Sequence, residues 1–149
     1  MAQGLFALAG VLLGGLITIG VELVKRRFDN RVRQRTAARI LAAELRLHGL
    51  SVERALQRQD VGMVDLNASA IWSVWRQHRM DLAARRDRAW TATVSAVLQL
   101  TRTQDALSEV YVTWSDAAEH ELAELGKRMT TAIAELDDLN PAGVDRLPP

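Results

Sequence analysis

The chain has 149 residues, a formal net charge of +1 and no cysteine. The length allows one domain with a real core beside a short segment, but not two domains. The missing thiols exclude disulfides, thiolate zinc sites and cysteine nucleophiles, and the near-zero net charge hides a strong asymmetry along the chain.

From Ala2 through Val21 no charged side chain occurs, and Lys25-Arg26-Arg27 follows Glu22. Twenty uncharged, mostly aliphatic residues in a helix rise about 30 Å, the thickness of a bilayer's hydrocarbon core. The expectation is therefore a transmembrane helix over 1–24. A cleaved signal peptide would carry its basic residues before the apolar run, and here they come after it. Seven basic residues between Lys25 and Arg39 against one acid, Asp29, predict that this flank stays inside, with the N-terminus outside and the remaining chain cytoplasmic. That places the protein in a membrane. Ala7, Gly10, Gly14 and Thr18 share one face, where small residues would let two such helices pack closely into a homo-oligomer.

Residues 25–37 read as a basic helical stalk. No Pro or Gly interrupts the chain from Lys25 until Gly49, so a helix over 25–58 is expected to continue the anchor. Ala38, Leu41, Leu45, His48, Val52 and Ala55 alternate spacings of three and four, the stripe of a helix packed on other helices. Residues 59–66, with Gly62 between Asp60 and Asp65, form a loop. Asn67 caps a second helix over 68–85, with Ala68, Ile71, Trp75, His78 and Leu82 as its inner stripe and Trp72 alongside. A tight turn with Asp87 as N-cap separates it from a third helix over 88–109, whose apolar side is Trp90, Val94, Val97, Leu98, Thr101 and Leu107.

Val110 to Trp114 reads as a packed connection. Asp116 with Glu119 resembles a capping box and opens a fourth helix over 116–139, with Leu122, Leu125, Met129, Ala132, Leu136 and Leu139 at spacings of three and four. Asn140-Pro141 ends it, and 141–149 is a tail. The expected fold is all-α: the N-terminal transmembrane helix continuous with an antiparallel up-down-up-down four-helix bundle over 38–140.

No constellation of catalytic or metal-binding residues is apparent. Glu44 and His48, and the adjacent Glu119 and His120, lack the Glu-x-x-His spacing of di-iron bundles. His48 and His78 lie equally far from the loop near residue 63 and form a candidate pH-sensitive pair, although burial of each ring against a carbonyl or water is the favoured reading. Serines and threonines are plentiful, but none sits in a Gly-rich elbow or next to a histidine. Trp72 to Arg88 interleaves aromatic and basic residues, yet these tryptophans are better used as core. The acidic segment 105–149, ten acids against three bases, opposes polyanions, so nucleic acid is disfavoured.

Lys25, Arg26, Arg27, Arg31, Arg85, Arg86 and Arg88 are the candidate contacts for anionic lipid headgroups. Asp137 and Asp138, at the same end of the bundle, would partly neutralise them. The run Arg31-Val-Arg-Gln-Arg35-Thr-Ala-Ala-Arg39, then Leu41-Ala-Ala-Glu44-Leu45, Trp75-Arg76 and Leu82-Ala83 ahead of Trp90, resembles small membrane-anchored proteins of high-GC Gram-positive bacteria. That resemblance implies a bacterial membrane and carries no activity. The expected function is a non-enzymatic, membrane-anchored docking or scaffold protein. It needs no cofactor, its ligand surfaces are the lipid bilayer and an unidentified cytoplasmic protein, and the alternative is an oligomeric pore or lysis-type effector assembled through the glycine face.

Overall fold

The computed structural model describes residues 2–83, 88–109 and 113–139, with side chains for 17–83, 88–108 and 113–139. Among the described residues all regular structure is helical: α1 (Ala2–Arg58), a 3-10 turn (Val61–Met63), α2 (Ala68–Ala83), α3 (Arg88–Glu109) and α4 (Asp116–Asp138). The chain divides into two compact units, Met1–Arg33 and Gln34–Pro149.

The first unit is the N-terminal part of α1. Its described apolar side chains, including Ile17, Val21, Val24 and Phe28, are exposed, and Arg26 pairs with Glu22 one turn away at 3.3 Å. The expected transmembrane anchor, and with it the placement in a bacterial cytoplasmic membrane with an outer N-terminus and a cytoplasmic C-terminal domain, is corrected here. Among the described residues no helix is long and apolar enough to cross a membrane. The side chains of residues 2–16 lie outside the described residues.

The second unit has one hydrophobic core. Ala38, Leu41, Leu45, His48, Val52 and Ala55 on α1 are all buried, as are Leu122, Leu125, Met129, Ala132 and Leu136 on α4. Both stripes follow the helical period directly. On α2 the inner stripe holds for Ala68, Ile71, Trp75 and Leu82, while His78 keeps its side chain 16% exposed.

α3 departs from the expected face. Its buried positions are Ala89, Thr93, Ala96, Val97, Gln99, Leu100 and Thr103, and Leu98 is 44% exposed. The buried arc is turned by about one residue, roughly 100°, from the one apolarity alone selects. Ala89, Ala96, Val97 and Leu100 give this arc its apolar surface, and its polar members are satisfied by hydrogen bonds. Thr93 Oγ1 donates to its own helix at the Ala89 carbonyl, 2.7 Å. Gln99 Nε2 and Thr103 Oγ1 donate to Glu121 Oε1 of α4 at 2.6 and 3.0 Å. A buried polar group with a partner loses its desolvation penalty.

The helix ends have identifiable causes. Gln59 adopts φ 52° and Asp60 N–H donates to the Ala55 carbonyl at 3.2 Å, the six-to-one bond of a Schellman ending. Asn67 Oδ1 accepts from Ala70 N–H at 3.0 Å, as expected of an N-cap, and Gln104 Oε1 from α3 accepts from Ala68 N–H at 2.7 Å. The cap of α4 is Ser115, whose hydroxyl accepts from Ala118 N–H at 3.2 Å. Asp116 and Glu119 therefore do not form a capping box; they sit in the first turn, where carboxylates favour the positive end of the dipole. The expected Asp87 cap lies outside the described residues.

Candidate functional site

Between α2 and α3, Trp75 and Trp90 stack at 4.7 Å with a 47° tilt, and Trp72 Nε1 donates to Thr101 Oγ1 at 2.8 Å. These three tryptophans are committed to packing. Between α3 and α4, Arg128 donates from Nε to Glu124 Oε1 at 2.9 Å and from Nη1 to Ser95 Oγ at 3.1 Å. The Arg128 hydrogen bond, reinforced by its charge and against an opposing effect of burial, lowers the Glu124 pKa from its ordinary value.

His48, Ser51 and Asp65 line one cleft, three residue types that elsewhere build a hydrolytic site. Their geometry is otherwise engaged. Ser51 Oγ donates to the Met63 carbonyl at 3.4 Å and accepts from Asp65 N–H at 2.6 Å. No hydrogen bond joins Ser51 to His48 among the described residues, so the chain from nucleophile to base to orienting group is not assembled. Ser51 instead ties the loop after α1 to that helix. Among the described residues no group of three or more His, Asp and Glu could hold a metal ion.

The residues singled out from sequence are dispersed. His48 is 8% exposed, whereas His78 Nδ1 lies 3.9 Å from Asp81 Oδ2, one turn along its own helix. No hydrogen bond connects the two histidines among the described residues. Lys25, Arg26, Arg27 and Arg31 are exposed in the first unit, and Arg88 is exposed at the start of α3. Arg85 and Arg86 lie outside the described residues. So do the side chains at Ala7, Gly10 and Gly14, while Thr18 is exposed. Asp137 meets a cation, but from α1: Arg46 Nη2 donates to both of its carboxylate oxygens, at 2.7 and 2.5 Å.

That ion pair marks one end of a groove between α1 and α4 that sequence reasoning missed. The groove has a volume of ≈ 410 Å³. Leu50, Leu56 and Ile133 form its walls, Val52 and Met129 its floor, and Glu53 and Thr130 its rim. Two helix-interior glycines, Gly49 and Gly126, also line it. A methyl at Gly49 would meet nothing within 4 Å, and one at Gly126 would stand 3.7 Å from Val52 Cγ1, an ordinary contact. Neither glycine is needed for close packing, and each costs its helix roughly 0.5–1 kcal/mol relative to alanine. Their shared effect is an open, apolar trough with exposed Leu50 on its lip. The signal available in the sequence was a glycine in each of two long helices, next to otherwise regular stripes.

No protein-family model, curated protein or solved structure matches this chain.

Proposed function

We propose that the second unit is a non-enzymatic docking module whose α1/α4 groove receives an extended apolar segment carrying a basic residue. The observation that carries this reading is the pair of glycines: both weaken their helices, neither is demanded by packing, and both open the same trough. The apolar walls supply affinity. Glu53 at the rim is exposed and, among the described residues, accepts from Gln57 Nε2 at 3.3 Å, leaving acceptor capacity for a cation on the ligand.

The supporting architecture is an antiparallel four-helix bundle. Arg46 pairs with Asp137 while Val52 lies at Gly126, an opposed order along α1 and α4. Ser95 with Arg128 and Thr103 with Glu121 are opposed along α3 and α4. Ala68 with Gln104 and Trp75 with Trp90 are opposed along α2 and α3.

Panning a random peptide display library against the full-length protein tests the reading. Enriched peptides should combine apolar residues with a Lys or Arg and lose binding to Leu50→Asp and to Gly126→Leu. Enrichment that ignores both substitutions would overturn the groove as the docking surface.

A further inference from the structure

Within the second unit, the outer face of α1 carries another apolar stripe. Leu41, Leu45 and Val52 turn into the core. Ile40, Ala43, Leu47 and Leu50 stand roughly 160° round the helix from them, on its far side. Their spacings are three, four and three. Ile40 is 39% exposed, Leu47 63% and Leu50 49%, and Ala43 is exposed as well. The outer face of a packed helix is ordinarily polar. This one repeats as positions a and d of a heptad, the pattern of a seam between two helices.

The charges beside the stripe identify the other helix. With Ile40 and Leu47 at a and Ala43 and Leu50 at d, Arg39, Arg46 and Glu53 fall at g, and Glu44, Ser51 and Arg58 at e. In a parallel, in-register pair, position g of one helix meets position e of the next heptad on the other. Against a second copy of α1, Arg39 then meets Glu44, Arg46 meets Ser51 and Glu53 meets Arg58. Two of these contacts join opposite charges, and the two-fold makes each of them twice. Arg46, already held by Asp137, meets a neutral residue. An antiparallel pair with the same apolar layers would instead set Glu44 against Glu44 and Arg46 against Arg46, which is repulsive. Ile40 at a with Leu50 at d suits two strands, and exposed Arg54 at the next a position ends the apolar run and opposes a slipped register. The core side of α1 points away from the stripe, so the two bundles would stand clear on either side of the seam.

We infer that two copies of this chain associate through the outer face of α1 as a parallel, in-register helix pair, with Ile40, Ala43, Leu47 and Leu50 in the seam and Glu53 of each copy paired with Arg58 of the other. This goes beyond the docking of a peptide and does not depend on it. Leu50 and Glu53 border both the seam and the α1/α4 groove, whereas Ile40, Ala43 and Leu47 lie outside the groove. The pair would carry two grooves in one particle, so a ligand with two suitable segments would gain by avidity.

The chain has no cysteine, so a single introduced thiol reports which residues meet. In full-length Leu47→Cys the two a positions face each other across the seam. Mild oxidation should give a disulfide-linked dimer in several-fold higher yield than Met80→Cys, a position on α2 that is 73% exposed. Adding Ala43→Asp to Leu47→Cys should remove that excess. Equal yields from Leu47→Cys and Met80→Cys would overturn the inference, whatever other association the chain shows. A dimer that forms only when Ala43→Cys and Leu47→Cys proteins are mixed would overturn the parallel arrangement, because those residues meet in the antiparallel one. The charges are read in the same Leu47→Cys background. Glu53→Arg and Arg58→Glu should each lower the cross-linked yield several-fold, because each turns both ion pairs into like-charge contacts. An equal mixture of the two should restore it, since every contact in the mixed pair again joins opposite charges. A mixture no better than either variant alone would overturn the pairing of Glu53 with Arg58. Circular dichroism of each variant, unchanged from that of the native chain, assigns the losses to the seam rather than to the fold.

Discussion

Arg46 and Asp137, 91 residues apart, are joined by one guanidinium nitrogen that donates to both carboxylate oxygens. Asp137 lies in the last turn of α4, where a negative charge opposes the helix dipole, and the arginine offsets that conflict. Both side chains are about half exposed, 49% and 54%, so solvent screens the pair. A double-mutant cycle with Arg46→Ala and Asp137→Ala should return a coupling of about 0.3–1 kcal/mol that shrinks with added salt. In the Arg46→Ala background, Asp137→Asn should stabilise, because only the unfavourable dipole interaction remains. Coupling near zero at low salt would show that the pair does not tie α1 to α4.

Glycine replacement separates stability from binding. Gly49→Ala and Gly126→Ala should each raise stability by about 0.5–1 kcal/mol in denaturant melts, since the added methyl meets no obstruction. Each should also narrow the trough and weaken peptide binding. A destabilised Gly126→Ala would mean that α1 and α4 approach more closely there than the 3.7 Å contact to Val52 indicates.

Trp72 depends on one acceptor. Thr101→Val leaves the indole N–H without its 2.8 Å partner and should cost about 1–2 kcal/mol. Thr101→Ser keeps the oxygen and should cost clearly less. Equal losses from the two would assign the effect to the methyl group instead.

Gln59 is a non-glycine residue in the left-handed region at φ 52°. Gln59→Gly should stabilise by about 1 kcal/mol, because the side chain's clash with the backbone is removed. Thermal melts of the two proteins measure it.

Acid should weaken the Glu124–Arg128 pair within α4. Its folded pKa is held below the ordinary 4.5 by the Arg128 hydrogen bond first, then by that residue's charge with Lys127 and His120. A depressed folded pKa means the stabilisation is present above the unfolded value and lost as pH falls through the folded one. Glu124→Gln should therefore flatten the stability profile below about pH 4.5 while changing its shape little at neutral pH. An unchanged acid limb in that variant would remove Glu124 as a contributor.

Punctuation and period made most of the helical layout readable. Asn67 and the absence of breakers before Gly49 define where α1 and α2 run, and the three-four spacing of Leu41, Leu45 and Val52, or of Leu122, Leu125 and Met129, gives their buried faces directly, because apolar side chains repeat with the turn of the helix. That argument weakens where burial is decided by a partner. Thr93, Gln99 and Thr103 rank below Val94 and Leu98 in apolarity, yet they are buried. Thr93 bonds its own backbone, and a single carboxylate, Glu121 on another helix, makes Gln99 and Thr103 satisfiable. The cap of α4 moved from Asp116 to Ser115 for a similarly local reason of geometry, since only one hydroxyl reaches Ala118 N–H. The cation beside Asp137 and the trough between Gly49 and Gly126 were decided by tertiary structure alone. A charge's partner and a missing side chain's consequence depend on which helix stands opposite, and the period of one helix carries no information about its neighbour.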